Sequence, residues 1–172
     1  TSDGGTTWEN FHVTDGLNSE EISALVGRDS LLWVGTSVSQ LQQGQLVPTG
    51  TGFNKSTNIG TSWLSFKPEQ ANFVFKLAYD IAIADSFVWA SCFAGGLIRL
   101  KNGDTTWQNV FVDMVARRDY DTNGFGFNLN NRFFSVVADT SKTDTTIIWT
   151  GTAAGIYKFV YAPPDSLDTL GT

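Results

Sequence analysis

The sequence predicts an all-β protein made of repeated antiparallel units, and three observations carry that expectation. Aromatic residues are dense, with six Trp and thirteen Phe among 172 residues, and such side chains favour a pleated, half-buried surface. No window sustains a 3.6-residue apolar period, whereas alternation of period two recurs along the chain. Tryptophan also returns at near-regular intervals, at Trp33, Trp89 and Trp149, separated by 56 and 60 residues.

The elements follow from the repeats. Three segments, "ISALVGRDSLLWVGTSVSQLQQGQL", "YDIAIADSFVWASCFAGGLIRLKNG" and "FSVVADTSKTDTTIIWTGTAAGIYKF", share one pattern. An alternating apolar strand leads to Asp and a short turn. A second strand carries the Trp, a small-residue turn follows, and then a third strand. A second series, Trp8, Trp63 and Trp107, lies between these segments, each Trp after a Gly/Thr turn: "TSDGGTTW", "STNIGTSW" and "LKNGDTTW". Aligned on Trp, the first two place Thr1 or Ser56 seven back, Asp3 or Asn58 five back, Gly5 or Gly60 three back and Thr7 or Ser62 one back. The third keeps Asn102 and Thr106 but has Asp104 where glycine is expected.

Each unit therefore reads as four short antiparallel strands, A to D, and the even spacing of strands and turns marks propeller blades. The fold class is a β-propeller segment of about three four-stranded antiparallel blades, an incomplete ring within a propeller of about six to eight blades. The blades occupy 1–161: a D strand at 6–12, blades at 18–67 and 74–112, and strands A to C of a last blade at 132–161. Residues 162–172, with Pro163 and Pro164, form an extended tail or linker. Three blades do not close a ring, so the remaining blades belong to the same chain or to a second copy.

Two family resemblances enter on these residues. "SDGGTTW" and "STNIGTSW" resemble the Asp-box (BNR) repeat, a C–D hairpin motif of propellers. "TDGLNSEEISALVGRDSLLWVGTSVSQL" resembles the two-component-regulator propeller repeat, with its Asp-Gly-Leu, alternating strand, Asp and Leu-Trp-x-Gly-Thr. The first resemblance implies that Asp3, Gly5, Thr7, Trp8, Asn58, Gly60, Trp63, Asn102 and Trp107 are structural hairpin residues. Asn58 stands where Asp3 does, and an amide cannot do a carboxylate's acid/base work, although both cap turns. Trp33, Trp89 and Trp149, with the D-strand tryptophans, are expected to form the core between blades.

Charge narrows the function. The net charge is −6 with eleven Lys+Arg against seventeen acids, which supplies no basic face for nucleic acid or an anionic membrane. No apolar run approaches the ~20 residues that cross a bilayer, and no signal peptide opens the chain, so no direct membrane insertion is expected. Cys92 has no second cysteine to pair with and reads as an inert buried thiol. His12, the one histidine, reads as a blade-edge residue, and one His with one Cys builds no zinc or copper site.

The best metal candidate is "RDYDTNGFGFNLN", where Asp119, Asp121 and Asn123 alternate as oxygen ligands, Gly124 makes the turn and Phe125 offers a carbonyl, a pattern suited to calcium. Asn130 stands where a bidentate Glu is expected, and Asp, Asn and Gly also shape plain turns. No other cofactor is indicated. The same stretch belongs to a D–A insertion, 113–131, on the face where B–C loops gather, so Arg117, Arg118, Asp119 and Tyr120 are candidates for a ligand surface. Phe53, Phe73, Phe125 and Phe127 either stack on sugars or pack between blades.

Catalysis finds little support. Asp-box proteins include sialidases, whose resemblance implies an arginine triad, yet the arginines here are Arg28, Arg99, Arg117, Arg118 and Arg132, with no Arg-Ile-Pro segment. Glu occurs at 9, 20, 21 and 69, and Glu20 and Glu21 at a D–A connection have no indicated partner for a carboxylate pair. The leading expectation is a non-catalytic propeller binding a protein or carbohydrate ligand. The regulator-repeat resemblance implies the extracytoplasmic, periplasmic or secreted, sensor region of a bacterial signalling protein or part of a secreted surface protein. The alternative is the propeller portion of a secreted glycoside hydrolase with catalytic residues elsewhere, and a scaffold for a larger complex comes third.

Overall fold

The computed structural model describes residues 1, 3–67, 77–93, 95–111, 131–142 and 145–161. These residues form three antiparallel meanders. The first contains β1 (Glu21–Arg28), β2 (Leu31–Gln42), β3 (Gln45–Ser56) and β4 (Leu64–Phe66) in that order. The second contains β5 (Leu77–Ile83), β6 (Phe87–Phe93), β7 (Gly96–Lys101) and β8 (Gln108–Val110). The third contains β9 (Phe133–Lys142), β10 (Thr145–Thr152) and β11 (Gly155–Tyr161). One 3-10 turn, Val13–Asp15, precedes them, and no α-helix occurs among the described residues. The sheets stand side by side, β1 against β5 and β5 against β9, so the first strand of each meander is its inner strand. The fold is an all-β propeller segment of three blades.

Strand alternation builds the two interfaces. In β6, Val88, Ala90 and Cys92 join a cluster with Ala24, Trp33 and Phe53 of the first blade. Trp89 lies on the opposite face and joins Phe133, Val136, Ile148 and Phe159 of the third blade. Successive side chains of a strand point to opposite faces, so the middle blade is apolar on both. Trp33 and Trp89 are 2% and 1% exposed, and burying such a side chain contributes roughly 1.5–3 kcal/mol or more. Trp107 crosses to the first blade, stacked on Phe53 at 4.3 Å and edge-on to Trp33 at 5.9 Å. Phe53 is thus an inter-blade residue, and the sugar-stacking alternative does not apply to it.

A repeated small residue sits two positions after each strand-B tryptophan, at Gly35, Ser91 and Gly151. A Cβ on Gly35 would lie 2.8 Å from the Ala78 Cβ of the next blade, so the glycine permits the close approach of β2 to β5. The segment "DGLN" is fastened to β3 in turn. The fully buried Asn54 accepts the Asn18 amide at 2.9 Å and donates to the Gly16 carbonyl at 2.9 Å, and Gly16 adopts the left-handed φ of 108° that the turn requires.

Three expectations are corrected. Trp149 and Trp8 are 39% and 78% exposed rather than buried between blades, because no further described sheet covers their faces. Trp8 instead covers its own turn, donating from Nε1 to the Gly5 carbonyl at 3.1 Å. Residues 6–12 form no strand, since no described strand lies beside them to complete a ladder.

Candidate functional site

The two glycine/threonine turns have matching hydrogen bonds. The Thr1 hydroxyl accepts the Gly5 amide at 2.9 Å, Asp3 Oδ1 accepts the Thr7 amide at 2.9 Å, and the Thr7 hydroxyl donates to Asp3 Oδ2 at 2.7 Å. In the second turn the Ser56 hydroxyl accepts the Gly60 amide at 2.8 Å, and Asn58 Oδ1 accepts the Ser62 amide at 3.0 Å. Asn58 Nδ2 donates to the Ser62 hydroxyl at 2.9 Å, reversing the side-chain bond that Asp3 makes. The Asp3 carboxyl is held well below its usual range, first by the Thr7 amide and then by the Thr1 and Thr7 hydroxyls. It is occupied as a turn cap. The third turn differs: Leu100 replaces the anchoring hydroxyl, and Asn102 donates from Nδ2 to the Asp85 carbonyl at 2.9 Å.

These turns lie at one end of the blades, and the candidate site forms at the other, where the inner strands begin. Each inner strand has a β-bulge at the same step. Ser23, Tyr79 and Phe134 are the residues passed over where the ladder shifts between Ile22 and Ala24, between Ala78 and Asp80, and between Phe133 and Ser135. A bulge re-aims a side chain without ending the sheet. In the second and third blades the re-aimed residue is aromatic. Tyr79 and Phe134 have centroids 5.9 Å apart, and Phe93, from the end of β6, lies 5.9 Å from Tyr79 and 6.2 Å from Phe134. The three rings are 43%, 38% and 45% exposed for Tyr79, Phe93 and Phe134. Arg132 adds a cation 5.8 Å above Phe93, and its carbonyl accepts the Ala153 amide at 3.0 Å, which ties it to the β10–β11 turn.

Asp80 holds this arrangement. Its Oδ1 accepts the Ile81 amide at 2.9 Å, and its Oδ2 accepts the Val136 amide of the next blade at 2.9 Å. The residue after one bulge is thereby stitched to the strand that carries the next. At the first blade the same end carries acids: the Glu21 carboxylate accepts the Ser39 amide and hydroxyl, both at 3.0 Å, and Glu20 lies 3.2 Å from His12 Nδ1. The β2–β3 ribbon continues past the neighbouring blades to a two-residue turn at Gln43 and Gly44, both of positive φ. Its tip exposes the cross-strand pair Leu41 and Leu46.

Sequence reasoning singled out Arg132 only as one of five arginines and did not find Tyr79, Phe93 or Phe134. The signal available was the doublet Phe133–Phe134, where one of two consecutive aromatics must leave the core. Phe133 is fully buried and Phe134 is not. Arg99 stacks 4.6 Å from Phe87 and donates from Nε to Gln108 at 3.1 Å, away from this site. Arg117, Arg118, Asp119 and Tyr120, the calcium candidates Asp119, Asp121, Asn123 and Phe125, and Phe73 and Phe127 all lie outside the described residues. Among the described residues no group of three His, Cys, Asp or Glu is placed to hold a metal, and no helix is long and apolar enough to cross a membrane.

No protein-family model matches the chain, and neither does any curated protein. Among solved structures it is similar to the extracellular domain of the hybrid two component system BT3049 from B. thetaiotaomicron, at 12% identity and TM-score 0.49, covering 90% of this chain and 20% of that one. It is also similar to the extracellular domain of the one component system BT4673 from B. thetaiotaomicron, at 14% identity and TM-score 0.45, covering 91% and 23%. A third similarity is to the polysaccharide lyase Uly1, at 9% identity and TM-score 0.42, covering 84% and 29%. The chain therefore spans less than a third of the length of each.

Proposed function

We propose that this chain is a non-catalytic binding propeller whose ligand lies on Tyr79, Phe93, Phe134 and Arg132. The observation that carries the reading is the pair of bulges that lift Tyr79 and Phe134 out of their ladders beside Phe93. Three partly exposed rings about 6 Å apart offer apolar faces of the size of a sugar ring. The Arg132 guanidinium favours a ligand that also carries a carboxylate or sulfate. An acidic carbohydrate meets both demands. The carboxylates nearby are committed to the fold, with Asp80 bonded to two backbone amides and Glu21 to Ser39, which favours binding over acid/base chemistry. The turns at 1–8 and 56–63 fit the Asp-box pattern as fold elements. An extracytoplasmic sensor region of a bacterial signalling protein is the setting we infer for such a surface.

The test is a glycan array that includes neutral and uronic-acid oligosaccharides, followed by calorimetric titration of the hits. Tyr79→Ala and Phe134→Ala should each lower affinity about fivefold or more, since stacking contacts of this kind contribute about 1 kcal/mol or more each, while leaving the melting curve in place. Arg132→Ala should affect acidic glycans more than neutral ones. Binding unaffected by Tyr79→Ala and Phe134→Ala would overturn the assignment.

A further inference from the structure

The hairpin of β2 and β3 is longer than its counterparts. Glu21, the first residue of β1, pairs with Ser37, and the β2–β3 ladder runs on for five further pairs, from Val38–Thr49 to Gln42–Gln45. In the second blade Leu77, the first residue of β5, pairs with Phe93, where β6 ends. In the third, Phe133 begins β9 and pairs with Thr152, where β10 ends. At about 3.3 Å per residue, the ribbon of the first blade reaches about 17 Å beyond the start of its inner strand. The two neighbouring blades do without such an overhang, so the blade architecture does not require it.

Register sets which way the ribbon faces. In β2, Trp33 and Gly35 look toward the second blade: Trp33 shares a cluster with Val88 and Ala90, and Gly35 lies against Ala78. The ladder shift between Thr36 and Ser37 passes over Thr51 on β3. β2 therefore keeps its alternation, and Ser37, Ser39 and Leu41 carry the same face onward. Pro48 and Leu46 lie opposite Ser39 and Leu41. The Glu21 carboxylate is on this side too, because it accepts the Ser39 amide and hydroxyl. The face turned toward the blade of Tyr79 and Phe93 thus has an exposed carboxylate at its base and the exposed Leu41–Leu46 pair at its tip.

We propose that this face is a second subsite of the same rim, and that it takes an uncharged sugar unit of the oligosaccharide whose acidic unit lies at Arg132. The inference rests on the reading of Tyr79, Phe93 and Phe134 as a sugar platform. Charge decides what each end accepts. Arg132 stands above Phe93 and is tied to the β10–β11 turn, and a guanidinium there pairs with a carboxylate or sulfate. Glu20 and Glu21 stand at the first blade, where an anionic unit would meet like charge. Each Glu21 oxygen accepts one bond from Ser39 and retains room for a second donor, which a sugar hydroxyl supplies. Leu41 and Leu46 give the C–H face of such a unit an apolar wall. Over these three blades the charge of the ligand is confined to the end nearest Arg132.

The experiment is calorimetric titration with three probes: a disaccharide of one uronic acid and one neutral sugar, a tetrasaccharide with one terminal uronic acid and three neutral sugars, and a tetrasaccharide of uronic acids throughout. The single-acid tetrasaccharide should bind about fivefold or more tighter than either of the others. Replacing residues 41–46 with Asn-Gly shortens the ribbon to a tight two-residue turn. That variant, with its melting curve as the check on folding, should bind the single-acid tetrasaccharide no better than the disaccharide. Glu21→Gln should tighten the polyuronate. Equal affinity for the two tetrasaccharides, a shortened ribbon that changes no affinity, or a polyuronate indifferent to Glu21→Gln overturns the subsite. In each of those cases a disaccharide affinity still lowered by Tyr79→Ala leaves the ring platform standing. A disaccharide indifferent to Tyr79→Ala removes the platform, and the subsite with it.

Discussion

Replacing Gly35 with alanine tests whether the blades are held at the spacing described above. Gly35 is not in the left-handed region, so its backbone accepts a side chain, and the effect comes from space alone. The new Cβ would stand 2.8 Å from Ala78 Cβ, 3.2 Å from Ser23 Oγ and 3.5 Å from Ala24 Cβ. Ser23 can rotate away. Ala78 cannot, because its Cβ is fixed to β5, so β2 and β5 must separate by at least about 0.6 Å to regain ordinary contact. A gap of that size forfeits about a quarter of the dispersion energy of the contacts that span it, here those of Trp33, Phe53, Ile81, Val88 and Ile98. Overpacking of this kind costs about 1–3 kcal/mol, and the upper half of that range is expected because both clashing atoms are tied to backbone. Urea unfolding followed by the fluorescence of the tryptophans would measure it, with Gly35→Ala, Ala78→Gly and the double variant forming a cycle. Ala78→Gly alone should cost about 1 kcal/mol, and the double variant should recover about 1 kcal/mol or more of the sum. Additive effects, or a Gly35→Ala loss below about 0.5 kcal/mol, would refute the steric account.

Two further outcomes follow from the turns and the bulges. The Asp3 carboxyl is depressed in the folded turn, so its contribution is fully present above the ordinary value of 3.8 and is lost as pH falls below it. Amide exchange at Thr7 should therefore stay protected near neutrality and weaken only in acid, whereas Asp3→Asn, the residue type already present at 58, should keep the turn and remove its pH dependence. Asp80→Ala should lower stability by about 2–4 kcal/mol, since a carboxylate bonded to two amides is lost. It should also weaken glycan binding on the titration described above, and an unchanged affinity would separate Asp80 from the aim of Tyr79 and Phe134.

The fold was legible because it is written in period. Tryptophans at a steady interval, alternating strands and glycine-containing turns each pointed to the same four-stranded unit, and the chain forms β-strands along the alternating segments. Residues 6–12 and Trp8 departed from the pattern for a reason that a single strand cannot display. A ladder needs a neighbour, and burial needs a facing sheet. The candidate site was mostly hidden because it depends on a shift of register. Strict alternation would have placed Tyr79 and Phe134 within their sheets, and only the pairing of Asp80 with Ser91 and of Ser135 with Gly151 reveals that each preceding residue has been passed over. The doublet at 133–134 marked one of these positions. At Ala78–Tyr79 nothing comparable announces the bulge, and Phe93 joins the group only through the packing of adjacent blades.

The shared bulge has a consequence for how such a protein can change. A residue that the ladder passes over contributes nothing to cross-strand pairing, so packing alone constrains it, as at Ser23, whose buried Oγ lies beside Gly35. The three blades place Ser23, Tyr79 and Phe134 at that position, a hydroxyl, a phenol and a phenyl group, while the surrounding strands keep one architecture. The second and third repeats thus contribute one exposed side chain each, Tyr79 and Phe134, to the same rim. If the proposed binding role holds, exchange of Tyr79 or Phe134 would alter the ligand preference blade by blade, with the ladder around them left as it was.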